Sequence, residues 1–410
     1  MTDNIRGIFG THDEKTLVQL RDVASRADGA ALMADGHLGY VMPIGGVAAY
    51  TGLVSPVGVG FDIACGNAAI RTDMNIGQYS SAELETLADM IQEQISFGVG
   101  RTNAADDAPV DDPLFEAPEW ALFPHDANAH NLKGKARSQL GTVGSGNHYV
   151  DVFSDETGRV WVGVHFGSRG FGHTIASGFL SLSQGKRWTE RVPEQERLLN
   201  IHDGDIGEAY WHLMNLAGRY AYAGREWVAR KVVEMIGAKE VEMVHNHHNF
   251  AWLENPATDM IVIRKGATPA FPGQLGFVGG SMGDDAVILR GVDPVDTDDP
   301  AATLALQESA YFSTVHGAGR VMSRTEAAGK VNRKTGEVKK VGKVTWDMVR
   351  EWIGPRGVIL RGGGLDESPQ AYRRLPDVLK AQGPTVEVLH TLTPVIVVMA
   401  GANEFDPYKD

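Results

Sequence analysis

Gly60-Phe61-Asp62-Ile63-Ala64-Cys65-Gly66 is the stretch on which the reading of this chain turns. It sets a carboxylate and a thiol three residues apart. The flanking glycines leave the backbone free to aim both groups at one point, as a metal site requires. A lone buried cysteine is more often a small hydrophobe, so the segment gains meaning only from its company. Four further segments combining small residues with potential ligands lie between Gly144 and Arg324. If all five meet at one place, the polypeptide between Asp62 and His316 must be interwoven. No repeat and no flexible linker divides the sequence, so we expect a single α+β domain spanning residues 1–410.

Composition agrees with a soluble enzyme. Of 410 residues, 43% are hydrophobic and 22% charged, enough for a large core. The 49 glycines, many in short runs, favour a loop-rich α+β fold over a helical bundle. The longest apolar stretch, Pro394 to Ala400, is too short to span a bilayer, so no membrane partner is expected. No basic-then-apolar leader is visible, and the single cysteine, Cys65, fits a reducing compartment; the expected location is cytoplasmic. A net charge of −14 argues against broad, non-specific nucleic-acid binding. One window runs the other way, with Lys330, Arg333, Lys334, Lys339, Lys340 and Lys343; its bland reading is a solvated turn between strands.

Local signals sketch the elements. Ser80 with Glu83 forms a capping box ahead of a helical pattern through Leu84, Leu87, Met90, Ile91 and Ile95. A longer helix is predicted from Ile206 to Ile236, stopped by Gly237. Strands are predicted at Val160–Val164, Met260–Arg264, Val287–Leu289 and Val395–Met399. The stretch between residues 100 and 130, rich in Asp, Ala and Pro, reads as a surface loop.

The other chemistry-bearing segments each have an ordinary alternative. Gly144-Ser145-Gly146-Asn147-His148 offers a turn whose N–H groups suit a phosphate, although such turns are common. His165-Phe166-Gly167-Ser168-Arg169-Gly170 puts a histidine at a strand end before a turn suited to an anion. His245-Asn246-His247-His248-Asn249 holds three histidines in four residues, and at most one can face a given direction. In His316-Gly317-Ala318-Gly319-Arg320 small residues leave a phosphate room beside the imidazole. If the segment after Gly319 is helical, Arg320 and Arg324 share one face.

Taken in order, these segments resemble the RtcB-type RNA ligases over essentially the whole chain. The resemblance begins at Met33-Ala34-Asp35-Gly36-His37-Leu38-Gly39 and Met42-Pro43-Ile44-Gly45. It continues through Gly58 to Gly66, Gln139 to His148, His165 to Gly170, His247-His248-Asn249 and Arg264-Lys265-Gly266-Ala267. It is strongest from His316 through Val321-Met322-Ser323-Arg324, and Ala371-Tyr372 follows.

The resemblance implies one large domain with mixed sheets and a buried metal centre. It implies two manganese ions held by Asp62, Cys65, His148, His165 and His248. The donor types alone would suit zinc or iron as well, so manganese rests on the resemblance. His316 corresponds to the family nucleophile, which takes GMP from GTP and passes it to an RNA 3′-phosphate for attack by a 5′-hydroxyl. A 2′,3′-cyclic phosphate would first be opened at the same site. Guanylate contacts correspond to Asn147, Asp151, Ser281, Gly317, Ala318, Gly319 and Tyr372, and phosphate contacts to Arg169, Arg320 and Arg324. The implied partners are GTP and RNA with broken or spliced ends, tRNA among them; an archease-like activator is left open.

Three positions depart from the family pattern. Asp151 stands for a Glu, Ala286 for a Ser, and Met399 for a Lys that contacts the guanylate, with residues 402–410 as a C-terminal extension. The departures keep a second reading in play: a relative with an intact metal centre that hydrolyses cyclic phosphates or binds RNA ends without joining them.

Overall fold

The computed structural model describes residues 4–332, 335, 337–402 and 404. Arg333, Lys334, Lys409 and most of the extension after residue 401 lie outside the described residues.

Seven strands make a sheet that nearly closes on itself. In order they are Leu275–Val278, Ala286–Gly291, Val386–Gly401, Tyr149–Ser154, Arg159–Phe166, Gly66–Asn75 and Glu240–His247, all antiparallel to their neighbours. Ile359–Gly363 adds a parallel strand beside Val386–Gly401. Side chains bridge the remaining gap. Asn67 donates to the Phe277 carbonyl (2.8 Å), and the Phe277 N–H donates to the Asn246 side-chain oxygen (3.0 Å).

The period-2 alternation of a strand explains the packing. Along Arg159–Phe166, Val160, Val162 and Val164 face outward, into a cluster with Val228 and Val232 of the long helix. Trp161 faces inward, in a cluster that takes at least one residue from each of the seven strands, among them Phe153, Phe277, Ile288 and Leu392. His165 is two inward positions further on, at the rim.

A second sheet, of five strands, runs in the order Ile5–Ile8, Gly29–His37, Ile44–Thr51, Met260–Lys265, Asn249–Asn255. Helices Glu14–Ala24 and Arg169–Ser183 pack in the largest core cluster with it, together with the first half of Ile206–Ile236. The fold is a mixed α+β domain, as expected. Among the described residues, no helix is long and apolar enough to cross a membrane.

Local expectations held closely. The long helix spans Ile206–Ile236 and ends at Gly237 in the left-handed conformation. Ser80 and Glu83 form a reciprocal capping box. The four predicted strand runs lie within Arg159–Phe166, Met260–Lys265, Ala286–Gly291 and Val386–Gly401. The 100–130 stretch differs: it makes short 3₁₀ turns, yet Leu114, Phe115, Trp120 and Phe123 are buried in the largest core. Trp120 stacks on Phe171 with ring centroids 5.0 Å apart, so aromatic burial anchors a segment that polar composition had marked as surface. The condition on Arg320 also fails. Arg320 bridges to Tyr372 in an extended segment, and the helix begins only at Arg324.

Candidate functional site

Five potential ligands converge on one rim of the seven-stranded sheet because the strands that carry them start or stop there. Cys65 immediately precedes Gly66–Asn75, His148 immediately precedes Tyr149–Ser154, and His248 immediately follows Glu240–His247. In register, Gly66 faces both Phe166 and His247, and Tyr149 faces His165. Cys65 Sγ lies 3.3 Å from His165 Nε2 and 3.7 Å from His148 Nε2, and His148 Nε2 lies 3.2 Å from Asp62 Oδ2. The donors form two triads sharing the thiol: Asp62, Cys65 and His148, and Cys65, His165 and His248.

The imidazoles are aimed by their second nitrogens. His165 Nδ1 sits 3.0 Å from the Asn147 carbonyl, and His148 Nδ1 sits 3.2 Å from that of Val143. Carbonyls accept, so each Nδ1 carries a proton, and on His165 this leaves the Nε2 lone pair facing the thiol. Arg169 Nη1 is 3.4 Å from His148 Nδ1, the longer and weaker contact, and the carbonyl decides the tautomer. His248 Nδ1 is buried without a hydrogen-bond partner among the described residues. Gly167 gives Asp62 its place, because a Cβ there would lie 2.2 Å from the carboxylate.

Electrostatics follow from burial. Desolvation pushes His165 and His248 well below the usual histidine range, so both are neutral donors at pH 7. Burial and the Asp62 carboxylate push the Cys65 thiol well up. Burial also raises Asp62, but the hydrogen bond and charge of His148, with the charge of Arg169, outweigh it and hold it low. A buried imidazole nitrogen without a partner, beside a carboxylate and a thiol that gains from a cation, fits a bound metal ion.

Behind this site sits Arg225, from the middle of the long helix and fully buried. It donates to the carbonyls of Ala64 (2.8 Å) and Phe166 (2.6 Å), to His247 Nδ1 (2.8 Å) and to His245 Nε2 (2.8 Å). One guanidinium therefore ties the 62–65 loop, the end of the His165 strand and the segment leading to His248. Burial pushes Arg225 down to about 10, so it stays charged at neutral pH. The histidine cluster is thereby sorted. His245 and His247 serve Arg225 and pack on Tyr222, Asn246 closes the sheet, and His248 faces the site.

His316 follows the short strand Ser313–Val315, and its ring lies 4.9 Å from that of His248. His316 Nδ1 is 2.6 Å from Asp35 Oδ2, and the same oxygen accepts the N–H groups of His316 (3.0 Å) and Gly317 (3.3 Å). The ring and carboxylate are in ion-pair contact without hydrogen-bond geometry, and Nδ1 has no hydrogen-bond partner among the described residues. Gly319, at φ 73°, lets the loop lie on Asp35, whose carbonyl oxygen a Cβ would approach to 2.4 Å. Asp35 and His37 were passed over as site residues; their motif, Met33 to Gly39, was the available signal. Burial pushes His37, which lines the pocket, down to about 4.

All of this opens on one cavity of about 390 Å³. Its wall includes Asn147, Asp151, Ser281, Gly317, Ala318, Gly319 and Tyr372, so the expected guanylate contacts are together. Burial pushes the Asp151 carboxyl well up against one opposing hydrogen bond from Val398, and its Oδ1 has no partner among the described residues. Met399 lies on the wall, and Ala286 is buried in the sheet interior. The arginines are less free than expected. Arg320 donates to Glu367 (3.0 Å), the Tyr372 hydroxyl (2.9 Å) and the Asp366 carbonyl (2.6 Å). Arg324 pairs with Asp366 and Glu367, and Arg169 stands behind His148, off the wall.

Comparison with known proteins agrees with this architecture. The family model described as "tRNA-splicing ligase RtcB" matches residues 17–400. The chain is 30% identical to the RNA-splicing ligase RtcB of Escherichia coli strain K12 over 395 residues, covering 90% of this chain and 89% of that one. It is 29% identical to the tRNA-splicing ligase RtcB of Thermococcus kodakarensis over 422 residues, covering 85% and 82%. The Nanoarchaeum equitans tRNA-splicing ligase RtcB is 30% identical over 447 residues, covering 90% and 87%. With this match across nearly its full length, the chain belongs to the RtcB family of tRNA-splicing ligases.

Proposed function

We propose that this protein is a GTP- and manganese-dependent RNA ligase that joins 3′-phosphate or 2′,3′-cyclic phosphate ends to 5′-hydroxyl ends. One observation carries the reading: His316 lies ring against ring with His248, its Nδ1 held at Asp35, inside the cavity that the two thiol-sharing triads line. With Nδ1 turned to the Asp35 carboxylate, Nε2 is the nitrogen available to attack. It would bond to the α-phosphorus of GTP and expel pyrophosphate. An RNA 3′-phosphate oxygen then takes the GMP as the P–N bond breaks, and the 5′-hydroxyl oxygen displaces GMP as the new phosphodiester forms.

Two divalent cations, manganese on the family resemblance, would be held by the triads and neutralise charge on the reacting phosphates. Asp151 would meet the N–H donors of guanine with its unpartnered oxygen, and Asn147, Ser281 and Tyr372 would complete the nucleotide contacts. Arg320 and Arg324 would have to exchange part of their pairing with Asp366 and Glu367 for phosphate.

The apolar Met399 on the wall favours a second reading, a cyclic-phosphate hydrolase or RNA-end binder with the same metal centre. Incubation with GTP and manganese, followed by mass analysis, separates the two. The ligase reading expects a GMP adduct on His316 and joined RNA. Cyclic-phosphate opening with neither adduct nor joining would overturn it.

A further inference from the structure

The basic window is absorbed by neither the metal centre nor the nucleotide pocket. Among its described residues lies a two-stranded ribbon, Gly329–Val331 paired with Val338–Val341, and neither strand belongs to a larger sheet. Every position of the second strand is exposed, with Val338 59% and Val341 80% accessible. In register, Lys330 stands directly opposite Lys340. Directly opposed like charges destabilise an antiparallel pair, and an isolated two-stranded ribbon is marginal even without them. Among the described residues neither lysine, nor Lys339, has a carboxylate within ion-pair distance; Lys343 alone in the window is paired, with Glu326. A chain of net charge −14 has concentrated positive charge here, with Glu326, already paired with Lys343, as the acidic neighbour that Lys340 also feels.

The base of the ribbon is built into the pocket wall. The helix Arg324–Ala328 leads straight into Gly329, and the Val344 N–H returns to the Ala327 carbonyl (3.0 Å). Ala327 and Val344 are buried in one cluster with Met282 and Met399, both on the cavity wall, as is Arg324. The ribbon therefore rises from the edge of the cavity that takes the reacting end.

We propose that this ribbon is an RNA-docking arm: Lys330, Lys339 and Lys340 hold backbone phosphates of the strand whose end enters the cavity, several nucleotides from the reacting phosphate. The inference rests on the RNA-end reading of the pocket. A polyanion relieves the Lys330–Lys340 opposition, which is the source of the affinity. Continuity with the pocket wall favours RNA over an acidic protein as the occupant.

Lys340→Glu tests this, because it sets a carboxylate opposite Lys330. The ribbon gains a cross-strand ion pair, so melting should not fall, yet the arm should lose its grip. We expect affinity for a single-stranded RNA of about twenty nucleotides with a 3′-phosphate to drop about tenfold, and the log–log salt slope to shallow by about 0.7 to 1.4. Binding of a 3′-phosphorylated trinucleotide, too short to reach the arm, should be unchanged. The double variant Lys330→Thr, Lys340→Thr keeps β-forming residues without charge and should lose a similar slope. If parent and variants bind the long RNA alike, the arm is overturned as an RNA site and an acidic protein becomes its occupant. Weakened trinucleotide binding would also overturn it, since the effect would then act through the pocket. A parent that binds neither RNA overturns the RNA-end reading itself, a result distinguishable from failure of the arm alone.

Discussion

His316 Nδ1 rests 2.6 Å from Asp35 Oδ2, a carboxylate with no exposed surface that also caps the N–H groups of His316 and Gly317. One oxygen accepts from the backbone and lies against the ring. An orienting carboxylate of this kind fixes which nitrogen carries the proton, and its amide replacement allows the wrong tautomer. Asp35→Asn should slow His316–GMP formation by about a hundredfold or more while the fold survives. Single-turnover guanylylation measures this, and an unchanged rate would remove Asp35 from the mechanism.

Arg225 makes a different expectation. Its four acceptors lie in three of the four segments that carry the ligands, so its loss should loosen the metal centre from behind. Arg225→Met should weaken divalent-cation binding about 10- to 100-fold. It should also cost about 3 kcal/mol of stability, from buried acceptors left without donors. Arg225→Lys should not rescue, because a single ammonium cannot reproduce the planar fork. Cation titration together with melting of the metal-free protein tests both parts; wild-type affinity in Arg225→Met would mean that the loops hold themselves.

Metal uptake should carry a proton signature. Burial and Asp62 raise the Cys65 thiol, so it is protonated before binding and must release its proton. His165 and His248 are pushed down and are already neutral, and Asp62 is held low and already ionised. Binding near pH 7 should therefore release the Cys65 proton, and affinity should rise with pH. Calorimetry in buffers of different ionisation enthalpy reads the number. Cys65→Ala should abolish the release together with ligation, and a variant that still ligates at low micromolar manganese would contradict the shared-thiol centre.

Met399 bears on nucleotide chemistry. A thioether neither donates a hydrogen bond nor offsets phosphate charge. Arg373 is no substitute cation, because its guanidinium is spent on the Ala34 (2.7 Å) and Gly36 (3.0 Å) carbonyls. Met399→Lys should raise the rate of His316–GMP formation by about tenfold, the direction expected for a cation added beside a triphosphate. A slower Met399→Lys enzyme would show that the pocket is adapted to the apolar side chain.

Much of the site was legible because ligands must be particular residue types, and small residues must surround them. His316 and Cys65 stood out for that reason, and the long helix for its terminal Gly237. Arg225 did not, since an arginine within an amphipathic helix looks like a solvated face until the strands beneath it are known. Asp35 was hidden among the apolar residues of a strand buried on both faces. Asn67 and Asn246 close a sheet by side-chain hydrogen bonds, which leave no periodic trace. The pairing of Arg320 and Arg324 with Asp366 and Glu367 joins residues more than forty positions apart, a distance over which charge pattern says nothing.

The strand Val386–Gly401 pairs along its first half with Ala286–Gly291; its second half, which puts Met399 on the cavity wall, lies between Tyr149–Ser154 and Ile359–Gly363. During synthesis it emerges after every strand it pairs with. The nascent chain must keep a slot open between two unsatisfied edges, a state exposed to mispairing and slow to resolve. Until that strand is inserted the cavity lacks one wall, so a partly made chain has no finished pocket. Ribosome-bound intermediates are therefore expected to be silent, and chaperone demand should peak just before this strand clears the exit tunnel.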